Sequence, residues 1–205
     1  MDTNNYDVDG VTVASKGQNT FLITTGTSFN GASGLTEIRQ TNNTTQVTGP
    51  GAGTTVGPSV TKSYFNYGAV DTLTYGSVST VSLLGFSVVT TSVYTPAAVW
   101  PTNPILNSPY TRTVTLKTDI SGLGPTTSTT TTQTETFTFS AETISTFVGT
   151  FQACKVRQDV TANGSTTTSY SWTVGTGRLK GHVLKSTNAT GVRTTESTVL
   201  TVNGS

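Results

Sequence analysis

The chain has 205 residues, with 11 Lys and Arg against 10 Asp and Glu. Hydrophobic residues make up 33% and charged residues 10%, against roughly 45–50% and about 25% in ordinary globular domains. A net charge of +1 leaves no basic footprint for a nucleic-acid backbone and no cluster for anionic lipid. It is also too small to produce the self-repulsion that accompanies disorder in weakly hydrophobic chains. Thr alone supplies about a quarter of the residues. It is β-branched and favours extended backbone on a half-buried pleated surface. The composition therefore predicts sheet with a hydroxyl-coated face. Few Lys and many Thr and Asn incline towards an exported protein.

The opening, Met1-Asp2-Thr3-Asn4-Asn5-Tyr6-Asp7-Val8-Asp9-Gly10, has neither the basic region nor the apolar core of a leader peptide. Residues 1–15 read as a polar tether, and residues 16–205 as a single β domain. Either the protein stays inside the cell, or a leader, with or without a lipid anchor, has been removed ahead of Met1. The polar opening favours removal, and with it the bacterial periplasm or outer cell surface. Asp7 and Asp9 resemble half of a calcium loop, but the Gly and Glu positions that complete one are missing.

Helical periodicity is absent throughout, and period-two alternation recurs. In the first half, strands are predicted over residues 20–25, 35–41, 60–67, 70–75, 78–84 and 86–94. Gly49-Pro50-Gly51-Ala52-Gly53 is a loop. The longest apolar run, residues 81–89, is broken by small residues and falls short of the roughly 18 needed to span a bilayer. Pro96, Pro101, Pro104 and Pro109 enclose a long connection over residues 95–110 containing Trp100 and Ile105. So long a connection is a candidate lid or binding loop, or else a surface crossover.

The second half reads as a run of hairpins. Val114 and Leu116 alternate with Thr113, Thr115 and Lys117. A turn over residues 119–125 follows. Residues 126–134 are almost all Thr: a glycosylated or flexible linker is one reading, the solvent-facing start of the next strand is the preferred one. Phe137 and Phe139 then alternate with Thr136, Thr138 and Ser140. Asn163-Gly164 supplies the positive φ angles of a type I′ turn. Tyr170, Trp172 and Val174 alternate with Ser169, Ser171 and Thr173. Asn188-Ala189-Thr190-Gly191 marks a last turn. Such alternation puts apolar side chains on one face and hydroxyls on the other.

No catalytic or metal constellation is visible. His182 is the only His and has no positioned nucleophile or companion ligands in sequence. The ten carboxylates are scattered. Cys154, the only Cys, cannot form an internal disulfide and reads as a small buried hydrophobe in a strand. Neither a G-x-S-x-G elbow nor a phosphate loop occurs. Gly175-Thr176-Gly177 leads into Arg178-Leu179-Lys180 and not into a helix, so it reads as turn. No cofactor is implied.

The run Gly149-Thr150-Phe151-Gln152-Ala153-Cys154-Lys155-Val156, followed by Tyr170-Ser171-Trp172 and Gly175-Thr176-Gly177-Arg178-Leu179-Lys180, resembles an uncharacterised family of bacterial periplasmic proteins and lipoproteins. The resemblance spans residues 143–202. It implies a strongly curved antiparallel sheet, similar to the half-barrel of envelope lipoprotein carriers, and no established catalytic residues. Arg178 and Leu179 depart from the apolar pair commoner at that point.

About a dozen strands are too many for one flat sheet and must curl or close. The expected fold is all-β: one strongly curved antiparallel meander, a half-barrel or flattened barrel, with little or no helix. Its concave side is expected to collect Phe137, Phe139, Phe151, Tyr170, Trp172 and Leu184. Trp100, Phe137, Phe139, Tyr170 and Trp172 are the candidate ligand-binding residues, for a lipid or other apolar molecule. A structural or adhesive surface protein contacting carbohydrate or protein is the alternative, and an enzyme the third reading.

Overall fold

The computed structural model describes residues 1–83, 86–176 and 182–199. Its regular structure is antiparallel strand: β1 (Asp2–Tyr6), β2 (Val13–Phe29), β3 (Ala32–Gln46), β4 (Thr55–Tyr67), β5 (Asp71–Leu83), β6 (Phe86–Pro101), β7 (Pro109–Ser121), β8 (Thr127–Thr146), β9 (Gly149–Ala162), β10 (Ser165–Val174), β11 (Val183–Asn188) and β12 (Arg193–Val199). Each strand pairs with its successor, and β1 pairs with β12, so the 12 strands close into a barrel. The all-β meander expected from sequence is thus present in its closed form.

The turns follow local chemistry. Asn163 and Gly164 take φ values of 52° and 77°, as a type I′ turn requires, and set Ala162 opposite Ser165. At the β11–β12 turn the Asn188 Oδ1 accepts the N–H groups of Thr190 and Val192 at 3.0 and 2.9 Å. The Thr-rich run is strand, the first half of β8.

Three expectations change. Residues 1–15 are no tether: Asp2–Tyr6 is the strand that closes the barrel, paired on both edges. Asp9 shapes the β1–β2 turn, accepting from the N–H groups of Val11 and Thr12 at 2.9 and 2.8 Å. These bonds and the Thr12 hydroxyl hold its carboxyl below the usual range. The two strands expected over residues 70–75 and 78–84 are one: β5 runs from Asp71 to Leu83 with a register shift at Gly76. Gly76 has φ 152°, and a Cβ there would collide with the Ser92 carbonyl oxygen, so only Gly fits. The connection predicted over residues 95–110 is shorter: β6 continues to Pro101 and β7 begins at Pro109. Most of the 175–180 motif, residues 84 and 85, and residues 200–202 lie outside the described residues.

Register decides which side chains share a face, and it divides the aromatics. Phe137 stands opposite Gln158, and Gln158 opposite Ser169. Ser169, not Tyr170, therefore lies on the Phe137 face. That face buries Val114, Glu135, Phe137 and Phe139, with Phe137 0% exposed. The opposite face carries hydroxyl rungs along β7 and β8: Thr111–Thr136, Thr113–Thr134 and Thr115–Thr132, at 3.0, 3.3 and 3.1 Å. It also buries two apolar clusters. Ile144, Ala153, Trp172, Val174 and Leu184 form one, flanked by Phe151 and Tyr170. Phe29, Leu35 and Tyr64 form the other.

The expected single concave aromatic side is thus corrected: Phe151, Tyr170, Trp172 and Leu184 pack together, apart from Phe137 and Phe139. Trp172 lies between Lys155 and Lys185, whose ammonium groups sit 5.1 and 4.5 Å from its ring centroid, and its Nε1 donates to the Glu142 carboxylate. Trp172→Ala should destabilise the fold by about 3–5 kcal/mol, measured by urea unfolding. A loss under about 1 kcal/mol would show that the indole is not a core anchor.

Candidate functional site

The chain segment between β6 and β7 returns over the Phe137 face. Its Asn107 N–H donates to the Phe139 carbonyl at 2.7 Å, and Asn107 takes φ 59°, a conformation that Asn tolerates better than most residues. The loop is thereby pinned to β8. Beneath it lies a cleft of about 230 Å³ lined by Pro101, Pro104, Ile105, Pro109, Tyr110 and Phe139, with the polar Asn103 and Ser108 at its edge. Ile105 stands on the loop 76% exposed.

A buried ionic cluster lies next to the cleft. Arg112 donates from Nε to the Glu135 Oε2 at 2.5 Å, with Nη2 equally close. Its Nη1 donates to the Val99 carbonyl at 2.5 Å, which also accepts from the Tyr110 hydroxyl. Gln133 Nε2 donates to the other Glu135 oxygen at 2.6 Å. The guanidinium lies 4.5 Å from the Trp100 centroid and 4.8 Å from that of Phe137, and these two rings are themselves 4.3 Å apart. Burial pushes the Tyr94 phenol up, with Glu135 adding to the rise and Arg112 opposing it. Burial likewise raises Tyr110.

Of the five candidate residues, Trp100, Phe137 and Phe139 gather here. Only Phe139 lines the cleft; Trp100 and Phe137 stack behind it on Arg112. Tyr170 and Trp172 lie on the other face. Sequence reading missed Arg112, Glu135 and Tyr110, although a signal was present. Tyr110, Arg112, Val114 and Leu116 occupy one phase of β7, and Gln133, Glu135, Phe137 and Phe139 one phase of β8. A charge in the apolar phase of an alternating strand must find a partner on the same side.

The remaining polar groups offer little chemistry. Glu135 and Glu196 are both buried, and each is engaged by its own arginine, Arg112 and Arg193. Among the described residues no group of three or more His, Cys, Asp or Glu side chains gathers to hold a metal. His182 precedes β11, and its carbonyl accepts the Val174 N–H at 2.9 Å. Cys154, expected to be buried, lies in strand β9 but is only half-buried; burial raises its thiol, and the β8–β9 register sets Lys155 and Arg157 on the face opposite to it. Such a thiol is a poor nucleophile.

No family model, curated protein or solved structure matches this chain.

Arg112→Ala should destabilise by about 3–5 kcal/mol, because it strands a buried carboxylate. In a double-mutant cycle with Glu135→Gln, removing both charges should cost less than the sum of the single losses. Additive losses in urea unfolding would show that the two charges are not coupled.

Proposed function

We propose that this chain is a non-catalytic binding protein of the bacterial cell envelope, which receives an apolar ligand group in the cleft beneath the loop between β6 and β7. The cleft lining carries the proposal. Three proline rings, a Tyr, a buried Phe and an exposed Ile converge on one concavity, in a chain where apolar residues are scarce. An exposed Ile at the rim is costly in water unless something covers it; covering such a side chain is worth about 1.5–3 kcal/mol. A volume of about 230 Å³ lies below the roughly 300–1,000 Å³ usual for drug-sized ligands. The reading is therefore for a single ring or a short stretch of acyl chain, with the remainder of the ligand outside. The envelope assignment rests on composition and on the motif resemblance of residues 143–202.

A second reading, a structural or adhesive surface protein contacting carbohydrate or protein, is favoured by the hydroxyl rungs of β7 and β8. Titration with N-phenyl-1-naphthylamine, which fluoresces on entering an apolar site, separates the two. The intact protein should bind the dye. Ile105→Asp, at an exposed position that leaves the fold intact, should weaken binding at least tenfold, as loss of about 1.4 kcal/mol requires. Absence of dye binding, or binding that Ile105→Asp leaves unchanged, would defeat the cleft reading and favour the adhesive one.

A further inference from the structure

The seam where β1 joins β12 and β2 carries a second concavity, of about 540 Å³, on the opposite side of the sheet from the Phe137 face. Asp2, Asn4, Lys16, Gln18, Thr45 and Thr198 line it, over the bare backbone of Gly17. Register explains the convergence. Asp2 stands opposite Gln18, and Asn4 opposite Lys16; Lys16 in turn stands opposite Thr45. Asp2 and Asn4 are two residues apart on β1, as are Gln18 and Lys16 on β2, so all four project from one face. Opposed side chains start about 5 Å apart and successive ones about 7 Å, a block on the scale of one sugar ring.

These groups are not used to hold the fold. Among the described residues the side chains of Asp2, Asn4, Lys16 and Gln18 make no hydrogen bond or ion pair. Immediately behind them, on the other face, the amides are tied to one another: Gln40 and Asn42 donate to the Asn19 Oδ1 at 2.7 and 2.6 Å, and Thr44 donates to the Asn42 Oδ1 at 2.6 Å. The seam thus has a hydrogen-bonded backing and a set of unengaged polar groups in front of it.

The chemistry of the lining selects a class of ligand. One carboxylate and one ammonium give no net charge, which disfavours both phosphate-like anions and polycations. The carboxamides of Asn4 and Gln18 and the hydroxyl of Thr198 each donate and accept, while the Thr45 hydroxyl is already paired with that of Thr55 at 2.9 Å, so a complementary ligand must also donate and accept at closely spaced points. Among the described residues no aromatic ring lines the groove, which leaves nothing there on which a flat nucleobase would stack. A neutral polyol meets all three conditions. We propose that the seam groove is a binding site for a neutral saccharide, with the Asp2 carboxylate accepting from ring hydroxyls and Lys16, Asn4 and Gln18 donating to them.

The proposal is independent of the apolar cleft. Isothermal titration calorimetry of the full chain with maltotriose, cellotriose and triacetylchitotriose as probes tests it. At least one should bind. The doubly substituted Lys16→Ala, Gln18→Ala protein, changed only at exposed positions and checked for folding by circular dichroism, should bind it at least about tenfold more weakly. Saturating trisaccharide should leave N-phenyl-1-naphthylamine fluorescence unchanged. Absence of heat with all three sugars, undiminished affinity in the double variant, competition by inorganic phosphate, or displacement of the dye would each overturn the assignment.

Discussion

The pairing of β1 with β12 is the contact on which this architecture depends. Strands of 13–20 residues fill the middle of the chain, and a sheet left open here would expose β12, of 7 residues, and, with β1 detached, the 17-residue edge of β2. Proteins ordinarily protect such edges with charge, above all Lys, or with Pro and bulges. This chain has charge at only 10% of positions and a composition that strongly favours extended backbone. A half-barrel of this sequence would be a template for edge-to-edge association. Closure removes the edges altogether, and five residues of β1 accomplish it. The Asn19 N–H, donating to the Met1 carbonyl at 2.7 Å, adds a further tie at the same seam.

Closure also explains how so few apolar residues suffice. Only 12 hydrophobic residues among those described are buried, and they fall into separate groups on the two faces of the sheet. Between the groups the wall is held by main-chain ladders and by hydroxyl rungs. A Thr–Thr pair across adjacent strands contributes only a few tenths of a kcal/mol up to about 1, but the chain repeats it many times. Polar groups drawn inside are satisfied: no buried side-chain nitrogen or oxygen among the described residues lacks a partner. Stability here is spread along the strands and is not concentrated in one greasy centre.

Strand existence was legible because alternation and turn chemistry are local. Asn163-Gly164, the turn after β7 (expected over residues 119–125, found between Ser121 and Thr127) and the Thr-rich start of β8 needed no knowledge of the rest of the chain. What could not be read was register. A one-residue slip in pairing moves every side chain to the other face, and the β8–β9–β10 register fixes whether Phe137 meets Tyr170 or Ser169. Alternation within each strand leaves that open, so it points to one aromatic side where the register makes two. The same limitation hid the closing strand. Asp2–Tyr6 is polar because it forms the wall of a groove on one face and meets an amide network on the other, and a polar opening segment reads like a tether. Gly76 failed differently: it resembled a turn between two strands, whereas it is a close approach inside one.

The ionic groups supply the remaining specificity. Hydroxyls are nearly interchangeable, so a sheet faced with Thr distinguishes poorly between alternative registers. Buried charges do not share that tolerance. Shifting β7 against β8 by one residue would turn either Arg112 or Glu135 to the wrong face and leave the other unpaired, a penalty of several kcal/mol. Glu196, buried beside Arg193 on its own strand, also accepts the Phe147 N–H at 3.4 Å, which ties the β8–β9 turn to β12. The buried Arg112–Glu135 pair thus fixes between β7 and β8 a register that the repetitive hydroxyl surface alone would leave degenerate. The cleft depends on this pair. The Val99 carbonyl that accepts from Arg112 and Tyr110 belongs to the end of β6, from which the loop departs, so the position of the cleft's proline wall is set by the same charge that sets the strand register.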